Sequence, residues 1–376
     1  MRSISGAAVV IVAVFALEHD AVAQEAWTYR ARISAETEAA RTNARSPVAR
    51  RGVGAWETSQ LFVGSVDTSW DAGNRLRLSG GLLGVGSSTA GVSVIAREAY
   101  ARLSINSWID VEAGKRLVRW GVGYGFSPTG VLDPPRQATD PTDRLGRNEG
   151  MPLARVDLFR GATSLTVAAA APRLWRGGGA SSMIPSRLAA ARMRTVLPRG
   201  FEISLVVVAA PGLRPSGGIS TTHVVGQRLE WHGEVLIHDG AATQGNGAAA
   251  GGGAPGNSSS NTGRQRGVSA VAGFQYTLPG VNVVMEYHRQ HAAEADDDRL
   301  FMRAARAGAD VTLAPELILV RGLRDGSWTT VAGLAWRASA RIEPYARALH
   351  LAGRRASRAG LAPVSTTLSV GVTAKF

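Results

Sequence analysis

Polar and apolar residues alternate one by one along most of this chain, in short runs separated by turns. The clearest run closes the chain: from Leu368 to Phe376 every second residue is Leu, Val, Val, Ala or Phe, and Ser, Gly, Thr and Lys lie between them. An alternation of period two is typical of β-strands with one apolar and one polar face. We therefore expect an all-β protein.

Short turns and longer segments separate these runs in regular succession. Turns at 106–107 and 279–280 alternate with long segments at 120–151 and 239–266. The division yields about eighteen strands, or about sixteen if the first two strands, or those around 222–238, do not pair. Outer-membrane barrels alternate short periplasmic turns with longer outer loops. The pattern predicts a transmembrane antiparallel up-and-down β-barrel.

The N-terminus has the features of a secretory signal peptide. Arg2 precedes an apolar run at residues 4–17, and Ala21-Val22-Ala23 offers a small-residue cleavage site. A transmembrane helix needs about 20 apolar residues, and neither this run nor any later one reaches that length. We expect residues 1–23 to direct export and residues 24–376 to form a single barrel domain.

Composition narrows the function classes. The 376 residues include no Cys, which excludes disulfide scaffolds and Cys-ligated metals. Lys and Arg number 42 against 29 Asp and Glu, a net charge of +13. Such an excess is typical of nucleic-acid binding or of an arginine-lined anion path. Because an exported protein does not meet chromosomal DNA, we expect no nucleic-acid partner.

The final strand resembles the C-terminal strand of Gram-negative outer-membrane β-barrels. In that class a terminal aromatic residue, here Phe376, and the alternate apolar residues form the signal read by the barrel-assembly machinery. The resemblance implies a protein of the Gram-negative outer membrane that contacts this machinery and outer-membrane lipid.

A second resemblance covers residues 98–160. It rests on Gly114-Lys115-Arg116, Trp120-Gly121, Ser127-Pro128-Thr129 and Pro135-Arg136. These are similar to the G-R…W-G…N-P-T…P-R pattern of a largely uncharacterised group of porin-like barrels. Lys115 is additional here, and Ser127 replaces the usual Asn. The resemblance implies a channel-type barrel with no agreed substrate.

The alternation also assigns side chains to the barrel interior, where bases and acids occur in similar numbers. They could form cross-strand ion pairs or an arginine ladder that guides anions. The candidate pore-lining residues are Arg75, Arg77, Glu98, Tyr100, Arg102, Glu112, Arg116, Arg192, Arg194, Glu286, Arg341 and Arg347. The same phase puts Arg97 and Arg303 on the lipid face, which requires an outer-rim position or a shift of register.

Basic residues also concentrate in the first and last long loops. If the first and last strands pair, these loops are neighbours and could contact lipopolysaccharide phosphates, or simply form a solvated rim. They are Arg41, Arg45, Arg50, Arg51, Arg354, Arg355 and Arg358.

Residues 120–151 form a long segment rich in Gly, Pro, Asp and Arg. Loops beyond roughly 12–15 residues usually have a role or are disordered. Our hypothesis is that this segment folds into the barrel and narrows it; the alternative is a loop packed on the surface. The residues that would face the path are Tyr124, Asp133, Arg136, Asp140, Asp143, Arg144 and Arg147.

We therefore expect a porin-like channel for passive diffusion of small hydrophilic solutes, mildly preferring anions, with no cofactor, metal or catalytic residue. A non-conducting adhesive or structural barrel is the alternative, and a barrel enzyme is less favoured. His288 and His291 with Glu294 could bind a metal, but they lack a third neutral ligand. Monomer and trimer both stay open.

Overall fold

A single antiparallel sheet closes on itself into a barrel. The computed structural model describes residues 27–47, 55–73, 75–89, 91–172, 187–239, 266–291, 296–306, 308 and 311–376. Its sheet has eighteen strands, each paired with its neighbours along the chain, and β1 pairs with β18 as well as with β2. The predicted fold class is confirmed, with eighteen strands. The expected signal peptide lies outside the described residues.

The strands alternate direction around the barrel. They are β1 (Trp27–Thr42), β2 (Trp56–Ala72), β3 (Leu76–Ser87), β4 (Gly91–Asn106), β5 (Ile109–Arg116), β6 (Met151–Arg160), β7 (Thr163–Ala170), β8 (Leu188–Leu197), β9 (Phe201–Ala209), β10 (Ser216–Val225), β11 (Leu229–Asp239), β12 (Arg266–Leu278), β13 (Val281–His291), β14 (Asp297–Arg306), β15 (Leu313–Gly322), β16 (Trp328–Trp336), β17 (Ile342–Ala352) and β18 (Val364–Lys375). A short helix, α1 (Arg358–Leu361), precedes β18. Within the described residues, no helix combines the length and the hydropathy that a membrane crossing requires.

The two faces of the sheet differ in chemistry. Outward side chains are apolar and exposed, as at Val94 (60%), Leu82 (57%) and Val207 (54%). A closed sheet pairs its backbone N–H and C=O groups between strands, which is what a hydrocarbon environment demands. Aromatic side chains lie near the short turns, where rings suit a membrane interface. They include Phe201, Trp231, Tyr276, Trp336 and Phe376.

The lipid-facing placement of Arg97 and Arg303 is wrong. In β4, Glu98 pairs with Gly81 and Ala96 pairs with Leu82, so Arg97 is the extra residue of a β-bulge. The bulge turns Arg97 inward, 2.8 Å from an Asp67 carboxylate oxygen. Arg303 lies on the inner face of β14 and pairs with Glu316 at 2.6 Å. The bulge shifts the phase of alternation in β4, which a regular period does not reveal. β14 has no bulge, but its inner face carries the apolar Phe301 beside Arg303, so an apolar side chain does not mark the lipid face there.

Candidate functional site

The connection between β5 and β6 runs inside the barrel. Residues 117–150 are called the inner segment below. Trp120 and Leu132 belong to a buried cluster with inward side chains of β6–β9. Phe126 belongs to a second cluster with β12–β16, and Leu145 to a third with β2, β3 and β17. The inner segment therefore contacts the inner wall around most of the barrel's circumference.

Glu234 on β11 holds the first part of the inner segment. Its carboxylate is 1% exposed and accepts hydrogen bonds from the backbone N–H groups of Val122 (2.5 Å), Gly123 (2.5 Å) and Thr129 (2.8 Å). The hydroxyls of Thr129 (2.8 Å) and Ser127 (3.3 Å) also donate to it. A buried carboxylate requires such donors because it has left water.

Glu286 on β13 holds the next turn of the same segment. It is 0% exposed, and the backbone N–H groups of Tyr124, Gly125 (2.7 Å) and Phe126 (3.3 Å) donate to its two oxygens. His232 Nε2 lies 2.8 Å from the same carboxylate. Glu234 and Glu286 are called the two carboxylate clasps, since each wall carboxylate gathers several donors from the inner segment.

Gly125 is required where the inner segment crosses β14. A Cβ at this position would lie 2.8 Å from ring atoms of Phe301, which is itself fully buried. We expect Gly125→Ala to lower the free energy of unfolding by about 1–3 kcal/mol, as overpacked cores do, measured by urea titration of the refolded barrel. The control is Gly84→Ala, whose Cβ would meet only contacts of 3.9 Å or more. Equal stability of the two variants would contradict the packing.

Asp133 closes the inner segment on itself. Its carboxylate accepts the N–H groups of Trp120 and Gly121 (3.2 Å) and lies 3.4 Å from Arg136 Nη2. Burial raises the pKa of the Asp133 carboxyl, while Arg136 and the two N–H donors act in the opposite direction. Arg136 also donates to the Gly121 carbonyl at 2.9 Å. These bonds make residues 120–136 a closed loop within the inner segment.

Arginines hold the second half of the inner segment. Arg144 donates to Glu36 on β1 at 2.8 Å and lies over the Tyr345 ring at 4.2 Å. Arg32 donates to the Arg144 carbonyl, and Arg347 donates to the carbonyl of Thr139. The wall therefore contributes both guanidinium donors, from Arg32 and Arg347, and a carboxylate acceptor, from Glu36, to this half of the inner segment.

A cavity of about 230 Å³ lies among side chains of the inner segment. Its lining comprises Arg119, Asp133, Pro134, Pro135, Arg136, Gln137, Asp140, Pro141, Asp143, Arg147 and Asn148. Five of the seven predicted constriction residues line it. The other two, Tyr124 and Arg144, face the wall instead. Tyr124 lies beside Phe301 and Arg303.

Most predicted pore-lining residues of β4–β6 take part in a network on the wall. Glu112 is 1% exposed and bridges Arg116 (3.0 Å) and Arg155 (3.4 Å). Arg116 lies over the Tyr100 ring at 4.0 Å, and Arg102 pairs with Asp110. Glu98 accepts the Leu117 N–H at 2.8 Å and so fixes the start of the inner segment. This part of the wall follows the ion-pair interpretation.

The remaining predicted residues lie closer to the short turns. Arg192 and Arg194 share Glu202 at 3.5 and 2.5 Å, and Arg77 pairs with Asp71 at 2.6 Å. Two of them, Arg75 and Arg341, lie in turns rather than within a strand.

Sequence reasoning missed Glu234, Arg155 and Glu36. The alternation of polar and apolar residues places all three on the inward face, in β11, β6 and β1 respectively. Extending the strand phase over the weak β11 run would have found Glu234. Its partners, however, are backbone groups more than a hundred residues away, for which the sequence contains no signal.

A serine–histidine pair does occur in the barrel. His238 Nε2 lies 3.0 Å from Ser269 Oγ, and the two residues are 1% and 6% exposed. A nucleophile must reach a substrate carbonyl, and burial prevents that in this conformation. No group of three or more His, Asp or Glu residues suited to a metal ion occurs within the described ranges; Glu294 lies outside them.

Structure comparison places this barrel among solved outer-membrane proteins of Pseudomonas aeruginosa. OccK9 (OpdG) superposes with a TM-score of 0.59 at 11% identity, covering 93% of this chain and 98% of that chain. OccK3 (OpdO) has a TM-score of 0.57 at 12% identity, covering 93% and 95%. The outer membrane protein OpdK has a TM-score of 0.57 at 10% identity, covering 93% and 99%.

The chain has the fold of a porin-like outer-membrane barrel. With the apolar outward face, this indicates the outer membrane of a Gram-negative bacterium. No protein-family model matches the sequence, and no curated protein matches it in sequence.

Proposed function

We propose that the protein is a porin-type channel through which small hydrophilic solutes diffuse passively, and that the inner segment sets the size limit. The observation that carries the proposal is the course of residues 117–150 along the inner wall, with a polar cavity of about 230 Å³ among their own side chains. An eighteen-strand barrel is wide enough for an aqueous channel. A segment fixed inside it narrows that channel.

The charges around this cavity favour anions mildly. Asp143 accepts the N–H groups of Arg147 and Asn148, both at 2.8 Å, and Asp140 accepts that of Arg144 at 3.1 Å. These donors offset part of the carboxylate charge. Arg119 and Arg147 are exposed, and neither guanidinium forms an ion pair with a described residue. Guanidinium groups keep their charge at any physiological pH and bind carboxylate or phosphate.

Neutralising these two arginines tests the preference. We expect R119Q/R147Q to reduce the anion-to-cation permeability ratio by about two-fold or more, because field focusing at a constriction depends on the local charge. The measurement is the reversal potential of single channels under a KCl gradient. The control is R160Q/R199Q, which removes the same number of positive charges from two exposed arginines at the short-turn end.

Two outcomes separate the candidates. An unchanged anion-to-cation permeability ratio in R119Q/R147Q would contradict the anion preference but not the channel function. A folded, heat-modifiable barrel without conductance steps would contradict the channel itself and favour the adhesive or structural barrel. OpdK of P. aeruginosa has been crystallised with vanillate, so vanillate is a suitable carboxylate probe of current blocking here.

A further inference from the structure

One sector of the outward surface carries basic side chains at its long-loop end. Arg321 on β15 follows inward-facing Val320 and pairs across the sheet with Trp328, so both face outward. Its guanidinium lies 4.6 Å from the centroid of the Trp328 ring. Arg41 on β1 pairs with Trp56 on β2 in the same way. Each arginine thus stands beside a tryptophan, a residue typical of the membrane interface.

The loops directly above this sector extend the positive charge. Asn43 of the first long loop donates to the carbonyls of Ala359 (3.2 Å), Gly360 (3.1 Å) and Ala362 (2.9 Å) in the last. These bonds hold the two loops together over the β1–β18 seam. The described exposed arginines of the joined loops are Arg45, Arg354, Arg355 and Arg358, while Arg50 and Arg51 lie outside the described residues.

Arg358 does not belong to this surface. Its guanidinium donates to Asp297 at 2.9 Å, and its backbone N–H donates to Asp325 at 2.9 Å. The sequence predicts Arg358 to lie with the other basic residues of the long loops. Asp297, which also pairs with Arg299 at 2.6 Å, holds the Arg358 guanidinium away from the other loop arginines.

Acidic side chains are absent from the outward positions of β15–β18, β1 and β2. On the outward face of these strands the basic side chains are therefore not offset by acidic ones. Basic side chains without acidic neighbours on the same face attract an anionic partner at the membrane surface.

We propose that Arg41, Arg45, Arg321, His350, Arg354 and Arg355, called the basic surface, bind the phosphate groups of lipopolysaccharide in the outer leaflet. His350 is exposed on the outward face of β17, between Arg321 and Arg41. Phosphate monoesters carry more charge than phosphodiesters, and the guanidinium fork binds them through paired hydrogen bonds. Trp328 and Trp56 supply flat rings at the level where the sugar headgroup meets the acyl chains.

Binding of lipopolysaccharide to the refolded full-length barrel in detergent tests this proposal. The variant is R41Q/R321Q/R354Q, and the matched control is R160Q/R199Q/R306Q, three exposed arginines at the short-turn end. We expect about ten-fold or greater loss of affinity in the variant and none in the control, since each arginine near an anionic surface contributes. Heat modifiability confirms that all three proteins are folded.

Lipid controls define the partner. Dephosphorylated lipopolysaccharide should bind wild type as weakly as intact lipopolysaccharide binds the variant. Equal binding of phosphatidylglycerol and lipopolysaccharide, or full competition by inorganic phosphate, would overturn the assignment to lipopolysaccharide. Equal lipopolysaccharide affinity of wild type and variant would overturn the basic surface. Single-channel conductance of the variant should equal that of wild type, so this proposal and the channel function fail independently.

Discussion

Replacing residues 117–150 by a four-residue Gly-Ser turn should raise single-channel conductance by roughly three-fold or more. The inner segment occupies the interior of an eighteen-strand barrel, and barrels of this size otherwise enclose an open aqueous channel. This replacement is geometrically simple because Arg116 on β5 and Met151 on β6 are direct cross-strand partners. A short turn can therefore join the strands without disturbing their register. Conductance steps in a planar bilayer provide the measurement.

A second loop deletion of the same kind is the control. Asp239 and Arg266 are also direct cross-strand partners, so residues 240–265 can be replaced by the same turn. That variant should conduct within about two-fold of wild type, because long outer loops need not enter the lumen. If deleting the inner segment changes conductance no more than this control does, the inner segment does not limit the path.

Removing a carboxylate clasp should loosen the inner segment without opening the barrel. In Glu286→Ala, the N–H groups of Tyr124, Gly125 and Phe126 lose their acceptor. Each buried group left unpaired costs roughly 1–3 kcal/mol, which is enough to favour detached conformations of the segment. We expect larger and noisier single-channel currents, and faster cleavage within residues 120–130 by added protease.

Glu202→Ala is the matched control for this experiment. Glu202 is another lumen carboxylate, but its partners are Arg192 and Arg194 on the neighbouring strand and not the inner segment. Glu286→Gln should be intermediate, since an amide offers one oxygen where the carboxylate offers two. Currents from Glu286→Ala as quiet as those of Glu202→Ala would show that the clasp does not hold the segment.

The two faces of each strand were predictable wherever the alternation was regular. In β13, the phase correctly assigned Glu286 to the interior and Tyr287 to the outward face. The same reasoning misplaced Arg97, because a bulge adds one residue to β4 and inverts the phase beyond it. It also misplaced Arg303, although the β14 ladder is uninterrupted, because Phe301 on the same inner face is apolar and packs against Phe126 of the inner segment. A period-two pattern specifies faces only within an uninterrupted ladder.

The sequence by itself determined the architecture of this protein. Alternation of apolar and polar residues fits any sheet with one apolar face; the export signal and the aromatic C-terminal strand favoured a closed sheet in a membrane, where the apolar face is exposed. Short and long connections then determine which end carries the loops.

Only the tertiary structure decided the course of residues 117–150 and the partners of the lumen charges. The inner segment contains few regular hydrogen bonds of its own, so its path depends on acceptors that the closed barrel supplies from distant strands. Glu234 meets Val122 across 112 residues of chain, and Glu286 meets Gly125 across 161. Such contacts exist only once the barrel has closed, because no local pattern of residues encodes a hydrogen bond between a side chain and a remote backbone N–H.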